Sequence, residues 1–285
     1  MSDALLEVRD LRVAYPVKGF RKPPVEILHG VSVEVRPSET VGLVGESGSG
    51  KTTLGRAVLG LAPITGGSIN FGGADISHVS RSARREISND IQVVFQDPYS
   101  SLNPSMNIGQ ILTEPLTARN VVKSEARRRI SELLDQVGLP SDAASRMPRE
   151  FSGGQRQRIA IARALALSPK LIVCDEPVSA LDLSTQARVL DLFKEIQQQT
   201  EVAYLFISHD LAVVRELSQR VAVMCRGEIV EWGDADQVTR RPRHPYTQQL
   251  FLAAPVTDPG RQAKRREERR RLLDLYRSQG VEIGL

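Results

Sequence analysis

The chain has 285 residues, 41% hydrophobic and 25% charged, with a formal net charge of +4. That length buries a substantial core, as one large domain or two smaller ones. No apolar run approaches the roughly 20 residues that span a bilayer, MSDALLEVRD places acids where an export signal needs an apolar segment, and Cys174 and Cys225 show no metal or disulfide spacing, so a soluble cytosolic protein is expected.

LLEVRDLRVAY alternates and predicts a half-buried strand, followed by a basic surface loop, PVKGFRKPPVE. ILHGVSVEVRPSETVGLVG gives two more strands, the second running into a glycine-rich loop. TTLGRAVLGLA has helical spacing and stops before Pro63, and GGSINFGGADIS reads as a short strand pair. From about Asp97 to Glu150 the character changes. DPYSSLNPSMNIGQILTEPL is rich in turn formers, and SEARRRISELLDQVGL predicts an amphipathic helix capped by Ser124 and ended at Gly138. This region reads as a small helical subdomain inserted into an α/β core. RQRIAIARALAL predicts a helix, Leu171–Cys174 a strand, TQARVLDLFKEIQQQ a helix and Val202–Ser208 a strand. Such alternation argues for a mostly parallel sheet covered by helices. RVAVMCRGEIVEWG reads as a hairpin turning at Arg226–Gly227, and an appendage begins near Asp234. Its basic tail, Arg261–Arg271, reads as a solvated helix of alternating charge, with contact to anionic lipid or a partner as the alternative. No aromatic residues interleave these charges, which argues against nucleic acid.

Three segments carry chemistry. GESGSGKT, from Gly45 through Glu46, Ser47, Gly48, Ser49 and Gly50 to Lys51 and Thr52, lies between a predicted strand and helix and is followed by Thr53. Its glycines let backbone N–H groups surround phosphate oxygens, Lys51 reaches the terminal phosphates, and the Thr52 hydroxyl is a magnesium ligand. LIVCDEP is an apolar strand ending in Asp175, placed to hold magnesium, and Glu176, placed to polarise water. FSGGQRQR, at Phe151–Arg158, opens a helix whose positive end suits an anion. Gln96 in VFQDP and His209 in ISHD each follow a strand; alone they carry little weight, and their order along the chain raises both.

The ordered set resembles the ATP-binding cassette family. Gly45–Thr52 matches its Walker A loop, Gln96 its Q-loop, Ser152, Gly153, Gly154 and Gln155 its signature (with Phe151 where leucine is commoner), and Leu171–Asp175 its Walker B strand. Glu176 takes the catalytic-glutamate position, Ser179–Asp182 the D-loop and His209 the switch position. Tyr15 falls where the family stacks a ring on adenine, or is simply a strand aromatic. The resemblance implies a phosphate-loop NTPase (RecA-like) α/β core with an amino-terminal antiparallel β subdomain, an inserted helical signature subdomain at about 97–165, and a short carboxy-terminal extension. It places the ATP-binding domain at 1–233 and the extension at 234–285. It implies ATP and Mg2+ as cofactors, with Gln96 joining Thr52 and Asp175 at the metal, and a signature that acts on the ATP of an opposing cassette.

FQDPYSSLNP and HPYTQQL are similar to the oligopeptide/dipeptide permease branch of importers. That likeness implies a non-identical second ATPase subunit, two transmembrane permease subunits and an extracytoplasmic binding protein, with this chain on the cytoplasmic membrane face. Nickel chelates, opines or oligosaccharides are alternative cargoes, and a soluble non-transport ATPase is a more distant reading. Asp97–Met106, with Tyr99 and Leu102, is the expected membrane-subunit contact. No cysteine follows Cys225, so the iron–sulfur cluster held by some relatives is not expected.

Overall fold

The computed structural model describes residues 4–17, 19, 23–253, 267, 270 and 271. In chain order the elements are β1 (Leu6–Tyr15), β2 (Val25–Val35), β3 (Thr40–Val44), α1 (Lys51–Val58), β4 (Ile64–Phe71), β5 (Ala74–Asp75), α2 (Arg81–Asp90), β6 (Ile91–Val94), α3 (Pro98–Ser101), α4 (Ile108–Thr117), α5 (Lys123–Gln136) and α6 (Gly153–Leu165). They continue with β7 (Leu171–Asp175), α7 (Leu183–Thr200), β8 (Ala203–Ser208), α8 (Leu211–Leu217), β9 (Arg220–Cys225), β10 (Glu228–Asp234), α9 (Ala235–Arg240) and α10 (Pro245–Ala253).

The chain divides into two compact units. The first takes residues 1–35, 40–78 and 206–285. Its antiparallel sheet has the order β2-β1-β4-β5. Alternation drives β1 as the sequence predicts: Leu6, Val8, Leu11 and Val13 are buried while Glu7, Arg9 and Arg12 are not. The phase slips once, at Asp10, whose φ of 46° marks a bulge between Val8 and Leu11. The strand leading into the phosphate loop, β3, is buried at every residue and runs parallel to β9. β9 returns antiparallel as β10 through Arg226 (φ 45°) and Gly227 (φ 82°), the two left-handed residues that a tight hairpin turn demands.

The second unit takes residues 36–39 and 79–205. It pairs β6 with β7 in parallel and carries helices α2 to α7. Gly138, at φ 65°, follows α5 as expected, but Ser124 does not cap it. The helix starts at Lys123 with Val122 in the cap position, and Ser124 stands inside the first turn where its hydroxyl cannot reach forward as a cap does. The core beneath α6 and α7 is apolar, with Ile159, Ile161, Val189, Phe193 and Ile196 wholly buried. Phe193 meets Tyr204 edge-on, ring centroids 5.4 Å apart.

Among the described residues no helix is long and apolar enough to cross a membrane. The basic tail, apart from Glu267, Arg270 and Arg271, and most of the loop before β2 lie outside the described residues. Arg271 donates to Glu267 at 2.6 Å, one helical turn away.

Candidate nucleotide site

In the first unit, the loop from Gly45 to Gly50 leaves β3 and enters α1. Gly48 and Gly50 adopt left-handed φ values of 82° and 105°, the kind of backbone from which anion-binding concavities of N–H groups are built. Gly45 answers a different demand, because a Cβ there would stand 2.1 Å from the Met224 carbonyl of β9. The hairpin turn steadies the loop directly: the Gly227 N–H donates to the Ser49 carbonyl at 2.9 Å. Lys51, only 5% exposed, directs its ammonium to the Gly45 and Glu46 carbonyls at 2.8 and 2.7 Å and to Ser49 Oγ at 3.4 Å. Thr52 and Thr53 open α1 and are half-buried. Tyr15 ends β1, half-buried and paired with Val25. His209 stands exposed between Ser208 and the short helix α8, which Asp210 caps by accepting from the Ala212 and Val213 N–H groups.

In the second unit, β7 delivers four fully buried residues and then the half-buried Asp175. Cys174 lies wholly inside, where burial and the neighbouring Asp175 charge push its thiol well above the usual range. Glu176 does not continue the strand. Its φ is 50°, a left-handed conformation rare for a residue with a Cβ, and its carbonyl accepts from Ser179 N and Oγ at 3.3 and 3.0 Å. Glu176 therefore leaves the strand end on a turned backbone, while Asp175 is still the last residue of β7. Asp182 is occupied as the cap of α7, accepting from the Thr185 N–H at 3.0 Å and from the Ser184 and Thr185 hydroxyls at 2.6 and 2.8 Å. These three bonds, that from the Ser184 hydroxyl foremost, hold its carboxyl well below the usual carboxylate range.

Ser152 caps α6. Its hydroxyl accepts from the Gln155 N–H at 3.4 Å, and Gln155 Oε1 accepts from the Ser152 N–H at 3.0 Å. The two signature glycines have different neighbours. A Cβ at Gly154 would stand 2.3 Å from the Thr185 methyl, whereas one at Gly153 would meet only Leu181, at 3.7 Å. Thr185 is pinned by Asp182 and cannot give way. Gly154→Ala is therefore expected to lose about 1–3 kcal/mol of stability through overpacking. Gly153→Ala should melt no lower than the parent, since alanine outdoes glycine in a helix. A thermal melt of both variants separates them.

Gln96 is exposed after β6, and Asp97 caps α3 by accepting the Tyr99 N–H at 2.8 Å. The signature helix grips this segment twice. The Arg156 guanidinium lies 4.1 Å over the Tyr99 ring while its Nε donates to the Phe151 carbonyl, and Arg163 donates to the Ser101 carbonyl at 2.8 Å. Tyr99 is 60% exposed and suits a contact surface. Leu102 does not: at 2% exposure it belongs to the core, and the expectation that it forms part of a docking face is corrected. Its turn-rich surroundings hid a residue that the short helix α3 turns inward. The sequence pattern also missed Tyr246, whose phenol oxygen accepts the Glu46 N–H of the phosphate loop at 3.0 Å.

Among the described residues no three His, Cys, Asp or Glu side chains cluster as a metal cage.

The ABC transporter family matches residues 28–179, and the oligopeptide/dipeptide transporter C-terminal region matches residues 230–278. The oligopeptide transport ATP-binding protein OppF of Salmonella typhimurium is 46% identical over 263 residues, covering 90% of this chain and 79% of that protein. The glutathione import ATP-binding protein GsiA of Pectobacterium atrosepticum is 47% identical over 268 residues and 92% of this chain, which spans only 43% of GsiA. Among solved structures, a dimeric post-hydrolysis state of the ATP-binding cassette MJ0796, bound to ADP and Pi, is 27% identical with a TM-score of 0.71, covering 81% of this chain and 98% of that one. The chain belongs to the ABC transporter family, as an ATPase subunit of its oligopeptide/dipeptide branch.

Proposed function

We propose that this chain energises a peptide-class importer by binding and hydrolysing ATP, working head to tail with a second, non-identical cassette beneath two transmembrane permease subunits. An extracytoplasmic binding protein delivers the cargo, and the chain sits peripherally on the cytoplasmic membrane face. The observation that carries this reading is the pair of half-sites on one polypeptide: a phosphate loop with a buried lysine, and a capped helix α6 with an unobstructed glycine at its first turn. The first cradles a triphosphate; the second supplies a positive helix end for the triphosphate of a mate.

Within that reading each residue has a task. The amides of Ser47 to Thr53 and the Lys51 ammonium bind the phosphates, Glu46, whose N–H is taken by Tyr246, opens the nucleotide-binding loop, and Tyr15 stacks on adenine. Thr52, Asp175 and Gln96 would hold magnesium, which would neutralise phosphate charge. Glu176 takes the proton of the attacking water, with His209 and Gln96 orienting the terminal phosphate and the water. Ser152, Gly153, Gly154 and Gln155 contact the mate's ATP beside the D-loop that Asp182 closes. ATP thus holds two cassettes together, and its hydrolysis removes the contact that favours the closed pair.

Reconstitution in proteoliposomes with the cognate permeases and binding protein tests the assignment. Oligopeptide should stimulate ATP turnover and accumulate in the lumen. Stimulation by a nickel chelate or oligosaccharide, with none by peptide, would replace the cargo class. Tyr99→Ala should preserve ATP binding while cutting peptide uptake per ATP hydrolysed at least about fivefold, the effect of about 1 kcal/mol at a contact; unchanged coupling would place the permease contact elsewhere.

A further inference from the structure

The HPY segment of the carboxy-terminal extension reaches the phosphate loop. Tyr246 stands 200 residues from Glu46, is 3% exposed, and holds the Glu46 N–H on its phenol oxygen. Its own position is fixed from β10. The Glu231 carboxylate accepts the N–H groups of Arg243 and His244 at 2.9 and 3.0 Å, and His244 Nδ1 accepts the Tyr246 N–H at 3.2 Å. Burial pushes the Glu231 carboxyl up, but the hydrogen bonds it accepts, those of the Arg243 and His244 amides foremost, together keep the group below its ordinary value. Gln248 adds a bond to the Pro242 carbonyl at 3.0 Å. All these residues belong to the first unit.

The Glu46 peptide is therefore held from both sides. Its carbonyl accepts from the Lys51 ammonium at 2.7 Å and from the Ser49 N–H at 3.2 Å, and its N–H goes to Tyr246. These holds are not equivalent. A triphosphate competes for the Lys51 ammonium, since charged phosphate is a stronger partner than a carbonyl. Nothing about phosphate binding competes for the Tyr246 hydroxyl, which burial keeps a neutral phenol with a pKa pushed up to about 12.

We propose that Tyr246 is a positioning residue for nucleotide binding: its hydroxyl fixes the start of the phosphate loop, so that the following amides stay convergent when Lys51 turns to phosphate. This rests on the reading of the loop as the ATP site and gives the HPY segment a task there. Without the hydroxyl, part of the population leaves the binding-competent loop, and affinity falls by that fraction. The loss of one hydrogen bond sets the scale at about fivefold. The loop meets ground and transition states alike, so the effect falls on KM and spares kcat.

Tyr246→Phe keeps the ring and removes only the acceptor. In the full-length chain, ATP binding by calorimetry should weaken about fivefold, and amide exchange should quicken across Glu46–Lys51. In the assembled ATPase, kcat at saturating ATP should stay within about twofold. Unchanged affinity and exchange would overturn the proposal even if the melting temperature fell, because Tyr246 would then serve only to dock α10. Lys51→Ala is the control. If it abolishes ATP binding while Tyr246→Phe changes nothing, this inference alone fails; if Lys51→Ala binds ATP like the parent, the loop is not the ATP site.

Discussion

Glu176→Gln is expected to stop turnover while leaving ATP bound. Glutamine matches glutamate in shape, and the features that shape the turn here, the left-handed φ of 50° and the Ser179 bonds to the residue 176 carbonyl, are backbone features that the substitution keeps. What disappears is the carboxylate proposed to accept a proton from water, and general-base catalysis supplies about 10²- to 10⁴-fold. A fall in kcat of at least about a hundredfold, with ATP affinity unchanged, follows. Because ATP persists, the paired form accumulates, and light scattering of the variant mixed with its partner cassette should show a dimeric species in ATP that is absent in ADP. Turnover within tenfold of the parent would remove Glu176 from the role of base.

Lys51→Ala should abolish useful ATP binding. The ammonium is nearly buried and ties three loop atoms, so its loss removes both the proposed phosphate partner and part of the loop's frame. Hydrogen bonds to charged groups contribute about 1.5–3 kcal/mol each, so losing two to phosphate weakens binding by at least about a hundredfold. Lys51→Arg should not restore it. The buried site accommodates a compact ammonium, and the planar guanidinium fork needs more room. Calorimetric titration of both variants with ATP decides; near-parental affinity in either would contradict the geometry of the loop.

The sequence made the phosphate loop legible because its glycines, lysine and threonine carry meaning by spacing alone. It made β7 legible because four consecutive buried residues leave an uninterrupted apolar run. Helix α2 escaped notice for the opposite reason: Ala83 and Ile87 are its only apolar residues, too few to mark a stripe, and none of its ten residues is buried. Helix α8 spans seven residues, too few for a period to stand out, although Asp210 marks its start. The left-handed turn at Glu176 had no glycine to announce it. The bond between Tyr246 and Glu46 joins the two ends of the first unit and leaves no local pattern at all. Local chemistry was readable; contacts between distant segments were not.

In the proposed function each polypeptide holds two complementary halves, and an ATP site becomes competent only when a second cassette closes it. ATP turnover per chain, measured across a dilution series of the purified protein with and without its partner cassette, tests this most directly. The rate per chain should vanish as the chain becomes monomeric and recover in proportion to added partner. A rate per chain that stays constant down to dilutions at which light scattering finds only monomer would contradict it.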